Sequence, residues 1–216
     1  MRAFGFAEST SSLEHTFQKE ANFLGMAERG GSLAYRVYLD TGTFQAIEEC
    51  GGYVFGEDDL PRVEDYALGK APQVIMRPDG ALILESLRDI FLFDDRAHFD
   101  WVVSPASLAE IDAANDFHRS RYAREVLEHT DMCLSEKPPE QEAASMASIM
   151  CNPLFGSISQ KDRKLLVEAA ATQCDIFLTI EKKLPKQADT ILKKINLQIA
   201  TPMTFWEMLR PYIRGL

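Results

Sequence analysis

Four acidic residues stand at boundaries between predicted strands and helices, at positions that could build one metal site. Asp40 ends one apolar stretch of the chain, and Glu181 follows another. Glu110 and Asp162 lie in the first turns of two predicted helices. In a parallel sheet, ligands bind in the crevice outside the carboxyl ends of the strands. We therefore expect these four carboxylates to lie close together.

Carboxylates that share one pocket need a counter-charge, because like charges a few ångström apart force protonation. A divalent cation that prefers oxygen ligands removes this conflict. Mg²⁺ usually keeps several waters and accepts one or two carboxylates directly. The acidic residues together predict a site for such an ion.

Each carboxylate also has a structural explanation that involves no ligand. Asp40 could cap the helix that follows it. Glu110 stands three residues after Ser107, as in an S-x-x-E capping box. Asp162 could favour the positive end of its helix, and Glu181 could lie in a solvated turn. Only the joint placement of the four favours a site.

Apolar segments alternate with amphipathic segments, and this alternation predicts a three-layer α/β/α sandwich with a mainly parallel central sheet. Strands are predicted over residues 33–39, 99–103, 174–180 and 197–201. Helices are predicted over residues 43–50, 104–130, 143–151, 159–173, 185–195 and 202–212.

Two regions fall outside this alternation. An N-terminal extension, residues 1–32, includes an amphipathic helix predicted over residues 11–28. An insertion, residues 51–97, contains QVIMRPDGALIL at 73–84. Two apolar runs around Pro-Asp-Gly predict an inserted hairpin there. We expect one domain, residues 33–216, that carries this insertion.

Composition excludes several classes of protein. No apolar stretch approaches the ~20 residues that a membrane span needs, and the N-terminus is a poor secretory signal. The four cysteines are scattered, which is typical of reduced thiols in a cytoplasmic protein. The net charge of −10 argues against a surface that binds nucleic acid everywhere.

Basic residues are nevertheless concentrated near the C-terminus. Residues 161–216 carry ten Lys/Arg against six Asp/Glu. This segment could attract phosphate, or its lysines could be solvated helix faces.

Other chemistries fit the sequence less well. Asp40-Thr41-Gly42 is the tripeptide of aspartic proteases, but that β-rich fold needs two such loops and this chain has one. His118 and His129 have no third zinc ligand nearby in the sequence. No glycine-rich phosphate loop is present.

Four segments, in order, resemble the acidic motifs of the PIN domain: YLDTGTF, SPASLAEI, KDRKLLVEAA and CDIFLTIEKKL. The closing LQIATPMTFWEML is similar to the last strand and helix of that family. The resemblance covers about residues 33–50 and 98–212. It leaves the N-terminal extension and the insertion unexplained.

PIN domains are metal-dependent nucleases, mostly ribonucleases, and include toxins of toxin–antitoxin pairs. The resemblance implies Mg²⁺- or Mn²⁺-dependent hydrolysis of RNA that leaves 5′-phosphate and 3′-hydroxyl ends. It assigns catalysis and metal binding to Asp40, Glu110, Asp162 and Glu181. The fourth motif of the family is usually T-x-D, so Glu181 replaces the usual Asp. Dimerisation is common in the family.

Supporting roles follow from the same motifs. Thr41 is the small hydroxyl neighbour of the first acid, and Thr179 belongs to the fourth motif. Basic residues that flank two of the acids could contact the phosphate backbone: Lys161, Arg163, Lys164, Lys182 and Lys183.

An alternative from another class remains. The chain could be a catalytically weak or inactive PIN-like module that binds a protein partner, such as an inhibitory antitoxin-like protein. The unusual Glu181, the net acidity and the two additional segments favour this reading.

Overall fold

Five parallel strands form one sheet in the computed structural model, which describes residues 35–97, 99–113, 117–130 and 132–213 of the chain. Their order across the sheet is β3-β2-β1-β4-β5, so β1 is central. The N-terminal extension lies outside the described residues. The strands are β1 (Tyr35–Leu39), β2 (Phe99–Val103), β3 (Cys133–Leu134), β4 (Ile176–Leu178) and β5 (Gln198–Ala200).

Helices surround this sheet, and the described ranges contain nine of them. No described helix is long and apolar enough to cross a membrane. The helices are α1 (Thr41–Glu49), α2 (Gly51–Val54), α3 (Gly80–Ala97), α4 (Pro105–Ala113), α5 (Phe117–His129), α6 (Glu140–Met150), α7 (Gln160–Ala171), α8 (Ala188–Ile195) and α9 (Pro202–Ile213).

The two faces of the sheet pack against different helices, because successive strand side chains point to opposite faces. Val37 and Leu39 belong to a core with α1 to α5 and α9. Tyr38 belongs to a second core with α6, α7 and α8. This arrangement confirms the predicted three-layer α/β/α sandwich.

The predicted hairpin at 73–84 is wrong. Its second half is the start of α3, and the Asp79 carbonyl accepts the first helical hydrogen bond from the Ile83 N–H, at 3.0 Å. The apolar residues after Gly80 recur at intervals of three and four, which is the helical period. Those that are fully buried are Ile83, Leu84, Leu87 and Ile90.

The helix predicted over 104–130 is two helices, α4 and α5. The carboxylate of Asp112 accepts a hydrogen bond from Arg124 Nη2 at 2.9 Å. Twelve residues of one straight helix would separate these positions by about 18 Å, so the chain reverses between them. Residues 114–116 lie outside the described residues.

Strand β3 was not predicted. It has only two residues, and both are exposed, so no apolar run marks it in the sequence. It pairs with β2 through Val102 and Val103.

Gly80 leaves room for the carbonyl of Val74. A Cβ atom at Gly80 would lie 2.1 Å from that oxygen, so Gly80→Ala must move the backbone. We expect a loss of at least about 2 kcal/mol in the free energy of unfolding, measured by chemical denaturation. Gly51→Ala is the matched control, since its nearest neighbour is the Phe55 ring at 3.5 Å. Equal stability of the two variants would contradict the described turn.

Candidate functional site

A crevice lies at the carboxyl ends of β1 and β4. The chain leaves β1 into α1 on one face of the sheet, and leaves β4 towards α8 on the other. The connections therefore diverge at this point, which is where ligands bind in open α/β sheets. Leu39 is in register with Val103 and Leu178, so the residues that follow the three strands lie side by side.

The crevice opens into a cavity of about 590 Å³. Three of the four predicted acids line it, from three separate segments of the chain. Three lysines also line it. These residues are Asp40, Asp162 and Glu181, with Lys161, Lys183 and Lys186.

Asp40 is the most buried of the three acids, with 6% of its surface exposed. It is the N-cap residue of α1, but its side chain makes no capping hydrogen bond. Instead, its Oδ2 accepts a hydrogen bond from Thr179 Oγ1 at 2.7 Å. No lysine or arginine among the described residues forms an ion pair with it. The helix-cap explanation of Asp40 is therefore wrong.

The electrostatics of Asp40 reflect its neighbours. Burial, the largest cause, and the negative charges of Glu181 and Asp162 raise the pKa of its carboxyl to about 6. Hydrogen bonds from the Thr179 side chain and the Thr41 backbone oppose this rise. Glu181 and Asp162 are thus close enough to Asp40 to act on its charge.

Thr179 joins two of these acids. Its buried hydroxyl donates to Asp40 and accepts from the backbone N–H of Glu181 at 3.0 Å. Its own N–H donates to the carbonyl of Ala200 in β5. The supporting role predicted for Thr179 has a direct geometric basis.

The side chain of Thr41 contacts a helix, whereas its backbone hydrogen-bonds the carboxylate of Asp40. Its Oγ1 lies 2.8 Å from Ser107 Oγ in α4. Ser107 is the third residue of that helix, and Ser104 Oγ accepts from the Ala106 N–H at its start. Ser107 therefore does not open a capping box with Glu110, so that explanation is also wrong.

Glu110 lies on α4, one turn after Ser107. The contact between Ser107 and Thr41 thus anchors its helix beside the crevice. The side chain of Glu110 lies outside the part of the chain that the structure describes.

Asp162 does take part in a helix start. Ser159 caps α7, and its hydroxyl accepts from the Asp162 N–H at 3.1 Å and donates to Asp162 Oδ2 at 2.7 Å. This geometry agrees with the structural explanation. Since Asp162 also lines the cavity and acts on the pKa of Asp40, both roles apply to it.

The predicted basic residues divide into two groups. Lys161 and Lys183 line the cavity, as does Lys186, which was not predicted. The other three point elsewhere. Arg163 donates to the carbonyl of Ile158, Lys182 pairs with Asp79 at 3.2 Å, and Lys164 is exposed away from the cavity lining.

A polar network behind the crevice was missed by sequence reasoning. The carboxylate of Glu168 in α7 accepts hydrogen bonds from Ser104 and Ser135, which follow β2 and β3. The hydroxyl of Tyr38 is buried beside it, and burial raises the pKa of that hydroxyl. The only sequence signal is Ser104, which directly follows the strand predicted over residues 99–103.

The cavity offers a hard cation only a few direct protein ligands. Among the described side chains, no three His, Cys, Asp or Glu residues are close enough to enclose an ion. Mg²⁺ accepts one or two carboxylates and retains waters. Asp40 offers a buried carboxylate that no described cation neutralises, and Asp162 and Glu181 line the same cavity. One direct carboxylate ligand with retained waters fits this arrangement.

Known proteins offer no guide to this site. Comparisons with family models, with curated proteins and with solved structures find no match.

Replacing the buried acid should stabilise the metal-free protein. Well below the ordinary pKa of 3.8, Asp40 is protonated in both the folded and the unfolded chain, so its burial costs nothing. As pH rises to about 6, the unfolded chain loses this proton first, and folded stability falls. At pH 7.5 in EDTA, Asp40→Asn should therefore raise the free energy of unfolding by up to about 3 kcal/mol.

Chemical denaturation at about pH 7.5 and pH 4 measures this difference, which should fall below about 1 kcal/mol at the lower pH. Asp59→Asn is the control, because Asp59 is exposed. If Asp40→Asn destabilises the chain at pH 7.5, the described burial of the charge is wrong.

Proposed function

We propose that this chain is a divalent-metal-dependent nuclease that hydrolyses phosphodiester bonds in RNA. One observation carries the proposal. Three carboxylates from distant segments line a single cavity at the switch point of the sheet, and two of them raise the pKa of the third. The positions are those that the resemblance to PIN domains assigns to metal binding.

Each side chain has a defined part in this proposal. Asp40 would hold Mg²⁺ or Mn²⁺ directly, and Asp162, Glu181 and Glu110 would hold it directly or through waters. When bound, such an ion lowers the pKa of a water and stabilises charge on the phosphoryl oxygens. Thr179 fixes the Asp40 carboxylate through a hydrogen bond and so limits the geometry that this ligand adopts.

The lysines of the cavity account for the substrate class. Lys161, Lys183 and Lys186 lie around the acids, so a polyanion can approach although the whole chain carries −10. These side chains would contact phosphates on either side of the cleaved bond. Binding should accordingly weaken as salt concentration rises.

Glu181 replaces the aspartate usual in the fourth motif. Its side chain is longer by one methylene, and it is exposed at the rim of the cavity. Its backbone is nevertheless fixed, because its N–H donates to Thr179. A longer carboxylate on a fixed backbone can reach the same ion from a position further out.

A second candidate function is a binding module for a protein partner. The observation in its favour is that the insertion exposes many large apolar side chains, which often marks an interaction surface. These are Val63, Leu68, Met76, Leu82 and Leu92.

Cleavage should depend on Asp40 and on a metal. We expect purified protein with Mn²⁺ to cleave RNA, EDTA to stop it, and Asp40→Asn to lower the rate about 100-fold or more. Gel analysis of labelled RNA measures this, with circular dichroism to verify folding. Asp59→Asn should cleave normally. Wild-type protein that neither cleaves nor is stabilised by metal would favour the binding module.

The Thr179 hydroxyl should be needed for metal binding. Thr179→Val removes a donor to Asp40 and an acceptor for Glu181. Each lost hydrogen bond of this kind costs about 1–3 kcal/mol. We expect a smaller thermal shift on addition of Mn²⁺, and Thr179→Ser should restore it. If Thr179→Val and Thr179→Ser show equal thermal shifts with Mn²⁺, the hydroxyl does not position the site.

A further inference from the structure

The insertion contributes side chains to a groove beside the cavity that Asp40, Asp162 and Glu181 line. We call that cavity the active cavity. Asp79 stands just before α3 and accepts from Arg77 Nε at 3.1 Å. It also pairs with Lys182 Nζ at 3.2 Å, and Lys182 directly follows Glu181. These contacts tie the insertion to the segment that carries one of the proposed metal ligands.

The groove adjoins the active cavity, because Glu181 lines both. Its volume is about 240 Å³. This is smaller than the ~300–1,000 Å³ of pockets for drug-sized ligands. The groove therefore suits one small group of a longer ligand whose remainder lies in the active cavity.

The charges of the groove cancel. Arg77 and Lys182 are positive, whereas Asp79 and Glu181 are negative. The Arg77 hydrogen bond holds the pKa of Asp79 below its usual value, so Asp79 stays ionised. It keeps its ion pairs with Arg77 and Lys182. A phosphate would gain no net attraction from these four side chains.

Apolar side chains supply much of the remaining surface, among them Ile83, Ile180 and Met203. A nucleobase matches this combination, because it has two apolar faces and a polar edge. Methionine sulfur contacts aromatic rings favourably, and arginine planes stack on unpaired bases. The Arg77 and Asp79 side chains are each only 25% exposed, so the polar wall is held in place before a ligand arrives.

We propose that this groove binds one nucleobase of the RNA, next to the phosphate in the active cavity. The inference rests on the proposed nuclease function. It gives the insertion a role, namely the contact with a base rather than with the backbone. The same contact would set which position of the RNA strand is presented for cleavage.

Methyl NMR in EDTA tests this without any cleavage. The probe is a 2′-O-methyl pentanucleotide, together with versions that each carry one abasic position. We expect ring-current shifts at the methyl groups of Ile83, Ile180 and Met203. One abasic position should abolish these shifts and weaken binding about tenfold, while Ile158 in the active cavity still responds.

Two outcomes distinguish failure of the base-binding inference from failure of the proposed nuclease function. If Ile158 shifts and the groove methyls do not, or if every abasic oligonucleotide still shifts them, the groove binds no base and the inference is overturned. If no methyl responds and the oligonucleotide does not bind, the inference is overturned, and RNA cleavage with Mn²⁺ decides the proposed nuclease function separately.

A matched pair of variants adds a second test. Arg77→Gln should weaken the complete oligonucleotide about tenfold and leave the critical abasic one unchanged. Arg62→Gln changes the same charge at an exposed position of the insertion and should change neither affinity. If Arg77→Gln weakens both oligonucleotides equally, Arg77 acts on the backbone and the inference is wrong.

Discussion

The buried carboxylate of Asp40 constrains the rest of the site. It stands at the end of the central strand, receives one hydroxyl hydrogen bond from Thr179, and has no cationic partner among the described residues. A buried charge is costly unless it is paired, and its raised pKa reflects this cost. The fold keeps the group there because β1 lies between two strands in register, so its position is fixed by hydrogen bonds on both sides.

The elements around Asp40 pack through the apolar cores and are also linked by short polar contacts. Thr41 at the start of α1 meets Ser107 of α4, and Glu168 joins α7 to the ends of β2 and β3. Such contacts have strict geometry. They fix α4 against α1 and α7 against two strand ends, and a cation between the acids would add to an arrangement that already exists.

Much of this architecture could be predicted from local sequence. The strands that contain Val37, Trp101 and Phe177 are apolar runs with clear ends. Asp40 and Glu181, which follow two of them, were predicted for that reason. The α3 helix was missed because Pro-Asp-Gly is also a hairpin signal. The strand β3 was missed because two exposed residues carry no pattern. Whether these two segments form a helix or a strand depends on tertiary contacts, which override local preference.

Side-chain partners were the least predictable part of the site. Lys182 and Lys183 are adjacent and chemically identical, yet one pairs with Asp79 and the other lines the cavity. Neither the pairing across the insertion nor the network around Glu168 leaves a signal at a fixed spacing. Both arise between segments that are distant in sequence, so only the assembled fold reveals them.

The hydrogen bond between Thr179 and Asp40 joins residues 139 positions apart. During synthesis, domains fold from the N-terminus as the chain is extended at about 5–20 residues per second. Strand β1 is made before β4 and lacks that neighbour until some 140 further residues have been added, which takes on the order of ten seconds or longer at that rate. The growing polypeptide on a ribosome therefore holds an incomplete crevice until β4 and the residues that follow it, Thr179 and Glu181, have been made.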